Sequence, residues 1–329
     1  MRRLLSPQTA ISLVVLAGLL VLLLTNFDIE WSATWDHMRS LNPWWYALAF
    51  VVYYSSFIFR GARWRILLMN AAAGDDPPTP APSVIYCARI VHMSWFANTV
   101  TFFRVGDAFR AFAYSEDFHA SFPRTVGTVL ADRLIDLTLV ILIMVLGISI
   151  LLLQGDVDPP LLLVAVAAAL LGLIVAGLVG MFVARRWMLR WLPARLAHFY
   201  ERFHEGTMGS FGRFPLVFAL GVLGWVAEIG RLFFVVQALG VSVAVGLLVF
   251  VPMANGLLSA VPLTPGGLGV VETGVSGLLQ LELTVELAVA VALVDRSLTY
   301  LSVVFTGGIS FALRQLGGKR RAAADAGTA

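Results

Sequence analysis

A chain of 329 residues that is 59% hydrophobic and only 13% charged, with a mean hydropathy of +0.85, is not an ordinary soluble enzyme, a nucleic-acid binder or a disordered protein. Soluble domains carry about 25% charged residues. The formal net charge is only +3, and 22 of the 23 basic residues are arginines gathered in a few segments, so the charge reports membrane orientation rather than a nucleic-acid surface.

The first apolar block, 9–27, follows Met1-Arg2-Arg3 and ends in Leu24-Thr25-Asn26-Phe27-Asp28, with no small-x-small cleavage site. It is expected to be a retained membrane span, not a signal peptide. Segment 28–42 reads as an acidic external loop. A span at 43–60 follows, with Trp44, Trp45, Tyr46, Tyr53 and Tyr54 as interfacial belt and packing. Arg60, Arg63 and Arg65 then read as a basic cytoplasmic run, and the proline-rich stretch 74–82 as a stiff linker. Region 83–122 is apolar but broken at Phe103-Arg104-Val105-Gly106-Asp107. Spans at 126–153 and 161–184 come next. The segment 185–213 sets Arg190, Arg195 and Arg202 among Trp187, Trp191, Leu196 and Phe199, a pattern suited to an anionic inner leaflet. After a span at 214–238, region 244–281 is broken at Pro262-Leu263-Thr264-Pro265-Gly266-Gly267-Leu268-Gly269. A last span at 286–313 leads to a short basic tail, 314–329.

Basic residues number two in 1–3, three in 60–65, six in 185–213 and four in 314–321. They all fall on the cytoplasmic side only if each broken region crosses an even number of times. The expectation is an all-α polytopic membrane protein with about six full spans and two re-entrant hairpins, or six to ten crossings if the hairpins are paired spans. Both termini lie in the cytoplasm. Non-helical backbone at membrane depth requires burial in protein or a wet cavity. Val105-Gly106 and Asp132-Arg133 recur as Leu268-Gly269 and Asp295-Arg296 at an offset of 163 residues. Residues 1–329 thus read as one membrane domain of two repeats, 9–153 and 161–313, in opposite orientation, a plan that places substrate near the repeat interface.

Ionisable side chains at membrane depth cost about 2.5–3.5 kcal/mol each on the translocon scale, so they persist when paired, hydrated or functional. Here they are Arg89, Arg104, Asp107, Arg110, Asp132, Arg133, Asp136, Glu228, Arg231, Glu272, Asp295 and Arg296. Arg104, Asp107 and Arg110 open the helix after the first break, and arginine's planar fork suits a lipid phosphate. Asp107 and Arg110, three apart, would alternatively only pair with each other. At the second break, Gly266, Gly267 and Gly269 permit close backbone approach. The restarting helix would offer free N–H groups to an anion beside Glu272. Adjacent Asp and Arg do not face each other on a helix. Asp132, Arg133, Asp136, Glu228, Arg231, Asp295 and Arg296 therefore read as supporting ion pairs, with Asp132 and Asp295 bound to arginines of other elements. Asn98 and Asn255 would cap a broken helix or touch a head group. Cys87 is the only cysteine and the five histidines show no ligand spacing, so no metal, disulfide or cofactor is expected.

The pattern Arg104-Val-Gly-Asp-x-x-Arg110, Asp132-Arg133-x-x-Asp136, Pro265-Gly-Gly-Leu-Gly-Val-x-Glu272 and Asp295-Arg296-x-x-x-Tyr300 resembles the lysylphosphatidylglycerol synthase transmembrane family. This is the flippase-like part of the multiple peptide resistance factor. Asp107 and Asp132 stand where that family usually has glutamate. The resemblance covers about residues 10–315 and implies a stand-alone member without the soluble aminoacyl-transferase domain. It implies translocation of an anionic or modified lipid (aminoacylated, glycosylated or polyprenyl-phosphate) across a bacterial inner membrane, without catalysis. Partners would be a membrane phospholipid or polyprenyl lipid, and a separate lipid-modifying enzyme. A membrane-embedded lipid-modifying transferase, or a non-catalytic partner of such an enzyme, are the alternatives.

Overall fold

The computed structural model describes residues 30–73, 80–101, 104–154, 161–260 and 264–327. The expected first span, most of the proline-rich linker, Phe103, Pro262 and Leu263 lie outside the described residues. All the described secondary structure is helical: α1 (Trp31–Arg39), α2 (Pro43–Ala71), α3 (Val84–Val100), α4 (Val105–Phe118), α5 (Phe122–Gln154), α6 (Leu161–Trp191), α7 (Ala194–Gly209), α8 (Phe214–Ala238), α9 (Val245–Ala260), α10 (Val270–Leu279), α11 (Val285–Arg296) and α12 (Val303–Gly327). Short 3-10 turns fill Ser210–Arg213 and Pro265–Gly267, and a π-helical stretch, Ser297–Ser302, joins α11 to α12.

Three helical runs, Phe122–Ile150, Ala194–Ala238 and Val285–Leu316, are long and apolar enough to cross a bilayer, and Gly172–Arg185 and Val245–Ser259 are shorter apolar helices. Leu142, Leu146, Val179, Phe182, Phe305 and Leu313 are exposed, an outer surface that water would not tolerate and lipid does. The chain is an all-α polytopic membrane protein.

Local sequence accounts for several boundaries. Asn42 accepts from the Trp44 N–H at 3.0 Å with Pro43 at the first turn of α2. Ser83 accepts from the Tyr86 N–H at 3.1 Å to start α3. In the two broken regions the helices α3, α4, α9 and α10 have 17, 14, 16 and 10 residues. At 1.5 Å per residue they reach roughly 15–25 Å, short of the ~30 Å hydrocarbon core. α3 packs along α4, and α9 along α10, so each region is a helical hairpin.

The structure departs from the sequence reading in four places. Segment 28–42 contains α1, which packs on α11 and buries Thr34. The helix read as 43–60 runs on to Ala71 as α2, because Arg60 and Arg63 point inward and are bonded there. The 185–213 segment is mostly helical: α6 runs on to Trp191, and α7 packs along α5, burying His204 and Thr207, with Thr207 Oγ1 donating to the Gly127 carbonyl at 3.3 Å, while Leu196 and Phe199 stay exposed. The last span is interrupted by the π-helical stretch directly after Arg296.

Candidate functional site

A cavity of about 440 Å³ lies where the two hairpin breaks meet. Small-molecule pockets span roughly 300–1,000 Å³. Hairpin one contributes Asn98, Thr99, Arg104 and Asp107, and hairpin two contributes Asn255, Ser259 and Gly266. Leu137, Val140, Pro252 and Leu257 form an apolar wall. The breaks touch: a Cβ placed on Gly266 would lie 3.1 Å from the Thr99 carbonyl oxygen and 2.8 Å from the Tyr300 ring.

The first break is closed by side chains. Arg104 adopts φ +53°, a left-handed conformation that is costly without glycine, as the residue before α4. Its Nε donates to Asp107 Oδ2 at a long 3.3 Å. Asp107 also accepts from Arg133 Nε at 3.1 Å. Asn98 caps the new helix: its Oδ1 accepts from the Gly106 N–H at 2.8 Å, while its amide donates to Asp107 at 3.4 Å. Gly106 is required because a Cβ there would run into the Ser94 carbonyl of the other arm.

The second break is held by Arg296. Its Nη2 donates to the Gly266 carbonyl at 2.9 Å and its Nε to Glu272 Oε1 at 2.8 Å. Gly266 sits at φ +60°. Three backbone donors at this break are already bonded: Gly269 N–H donates to Glu272 Oε2 at 2.7 Å, Gly267 N–H to the Thr264 carbonyl and Leu268 N–H to the Pro265 carbonyl. Gly267, Gly269 and Glu272 therefore shape the break from behind, and Gly266 alone of the four faces the cavity.

Beneath the cavity runs a buried ion network. Arg63 donates to Asp132 at 2.7 Å and to Asp136 at 2.8 Å. Arg110 donates to the other Asp132 oxygen at 2.7 Å, its guanidinium 4.0 Å from the Trp64 ring centroid. Arg231 pairs with Asp295, and its Nε donates to Glu228 at 3.3 Å. Asn255 donates to Asp295 at 3.4 Å. Arg60 joins the halves, reaching Asp136 at 3.3 Å and Glu228 at 3.4 Å between the rings of Trp95 and Trp225. Unpaired, each buried guanidinium would carry a desolvation penalty of several kcal/mol; shared carboxylates offset it.

The sequence-selected residues thus divide. Arg104, Asp107, Arg133, Asp136, Glu228, Arg231 and Arg296 line the cavity. Arg110 does not: it is 1% exposed and its partner is Asp132, not Asp107. Asp132 and Asp295 are likewise buried behind the wall. Arg89 is exposed, outside the network. Sequence reasoning missed Arg60 and Arg63, counted there as loop charges. One signal pointed to them: Arg60 and Arg63 share a helix face at i,i+3. Among the described residues, no group of three or more His, Cys, Asp or Glu is placed to hold a metal ion.

The sequence model of the family described as Lysylphosphatidylglycerol synthase TM region matches residues 9–307. A UPF0104 membrane protein of Methanocaldococcus jannaschii is 27% identical over 218 residues, 66% of this chain and 93% of that protein. A UPF0104 membrane protein of Methanothermobacter thermautotrophicus is 28% identical over 124 residues, 35% of this chain and 37% of that protein.

Proposed function

This chain belongs to the lysylphosphatidylglycerol synthase TM region family, and on that premise we propose that it translocates a lipid with an anionic or modified head group between leaflets, without catalysing a reaction. The observation that carries the reading is the arginine-lined cavity at the junction of two helix breaks. Arg104 stands out in it. Left-handed backbone at a non-glycine residue is a strain that persists where a site imposes it. Among the described residues, its two Nη nitrogens have no bonded partner. They are the phosphate donors. Arg110 acts one step back, positioning Asp132 and thereby α5. The glycine break and Glu272 shape the other half of the path. The acyl chains stay in the bilayer while the head group crosses.

Two matching sets of ion pairs support an inverted repeat of 9–153 and 161–313. Asp132 on α5 pairs with Arg63 on α2, as Asp295 on α11 pairs with Arg231 on α8. Arg133 binds Asp107 of hairpin one, as Arg296 binds Glu272 of hairpin two. Six full spans, two re-entrant hairpins, cytoplasmic termini and an inner-membrane location in a bacterium complete the reading, with a separate lipid-modifying enzyme as source or user of the lipid.

The test is reconstitution of the purified chain in liposomes with tail-labelled lipids, following label accessibility to an external quencher. Wild-type protein should accelerate exchange over protein-free liposomes, and Arg104→Ala should abolish the acceleration while folding normally. Equal rates with and without protein would refute translocation, and an active Arg104→Ala would refute the role of Arg104.

A further inference from the structure

Five arginines face the cavity: Arg60, Arg104, Arg133, Arg231 and Arg296. Three carboxylates do: Asp107, Asp136 and Glu228, with Asp132, Glu272 and Asp295 bonded to the same network behind the wall, so that seven guanidiniums, Arg63 and Arg110 included, meet six carboxylates, an excess of one positive charge. None of the three is free. Asp107 is bound by Arg104 and Arg133, Asp136 by Arg60 and Arg63, and Glu228 by Arg60 and Arg231. The surplus is on the donor side. Arg60 is 4% exposed and lines the cavity, and its buried Nε has no hydrogen-bond partner among the described residues. Its other bonds, at 3.3–3.5 Å, are long for charge-assisted ones, which prefer about 2.7–2.9 Å. Arg104 adds two uncommitted Nη nitrogens.

We infer that the cavity selects a head group whose charge is purely anionic and rejects aminoacylated and zwitterionic lipids. This rests on the translocation reading above. A lipid phosphate offsets the excess positive charge and supplies acceptors to Arg60 and Arg104. A lysyl ammonium would need a carboxylate, and would have to take it from an arginine while facing a positive wall. Such like-charge juxtaposition is a strong discriminator between ligands. The uncharged lining groups, Asn98, Thr99, Asn255, Ser259 and Thr299, suit neutral hydroxyls beside the phosphate.

Four tail-labelled lipids test this on the full chain: phosphatidic acid, phosphatidylglycerol, phosphatidylethanolamine and lysyl-phosphatidylglycerol. Each is measured for exchange in proteoliposomes and for retention by the detergent-solubilised protein. Phosphatidic acid and phosphatidylglycerol should both exceed the other two by at least about tenfold. Arg104→Glu should narrow or reverse that gap. Lysyl-phosphatidylglycerol moving as fast as phosphatidylglycerol would overturn the inference and leave translocation standing. If no lipid moves faster than in protein-free liposomes, the translocation reading falls. Retention then decides the inference, which fails unless the two anionic lipids are retained over the other two.

Discussion

Replacing Arg104 by glycine separates its structural cost from its function. The residue sits at φ +53°, where an L side chain costs about 1–2 kcal/mol and glycine almost nothing. Its one hydrogen bond, 3.3 Å to Asp107, leaves the side chain 38% exposed, so losing that pair costs at most about 1 kcal/mol. Glycine gives back roughly 0.5–1 kcal/mol through the freer unfolded chain. Arg104→Gly should therefore fold as well as wild type. It should be more stable than Arg104→Ala by up to about 1 kcal/mol, since alanine keeps the strain. That difference corresponds to at most about 1.5 °C in Tm for a chain of 329 residues. Transport should move the other way in both variants. Loss of charge-assisted bonds worth about 1.5–3 kcal/mol lowers head-group affinity roughly 10- to 150-fold. The assay pairs thermal unfolding in detergent with label exchange in liposomes. An alanine variant as stable as the glycine variant would refute the strain account, and a glycine variant transporting at the wild-type rate would refute the ligand role.

Other substitutions have different signatures. Arg110→Ala removes a fully buried guanidinium from Asp132 and from the Trp64 ring, and should destabilise the fold by about 3–5 kcal/mol, read as loss of monodisperse protein on gel filtration. Gly106→Ala should be similarly damaging, because its Cβ would meet the Ser94 carbonyl and force the arms of hairpin one apart; a normal Tm would contradict that packing. Arg296→Gln loses the charge opposite Glu272 but keeps a donor for the Gly266 carbonyl. It should leave the protein folded and slow transport, with protease or hydrogen-exchange protection falling selectively around 264–272.

The membrane class, the long spans at 126–153 and 214–238 and the two broken regions were legible from the chain alone, because hydropathy and helix-breaking residues act locally. The family resemblance was legible too, carried by a few charged and glycine motifs. The first block, 9–27, lies outside the described residues. Other features were not legible. α1 is a short helix fixed by packing on α11, which no local pattern announces.

Spacing along one helix indicated that Asp132 and Asp295 would look elsewhere for partners, but could not name them. Arg63 lies 69 residues from Asp132, and Arg60 lies 168 residues from Glu228. Such pairings depend on which helix faces come together. The same packing turned Arg60 and Arg63 from expected loop charges into buried ones and took Arg110 off the cavity wall. The sequence by itself determined which segments leave water and where their helices break, since burial of apolar surface and loss of backbone hydrogen bonds are properties of each segment. Only the tertiary structure decided which arginines keep free donors. A charge at low dielectric is defined by its neighbours, and those come from distant parts of the chain.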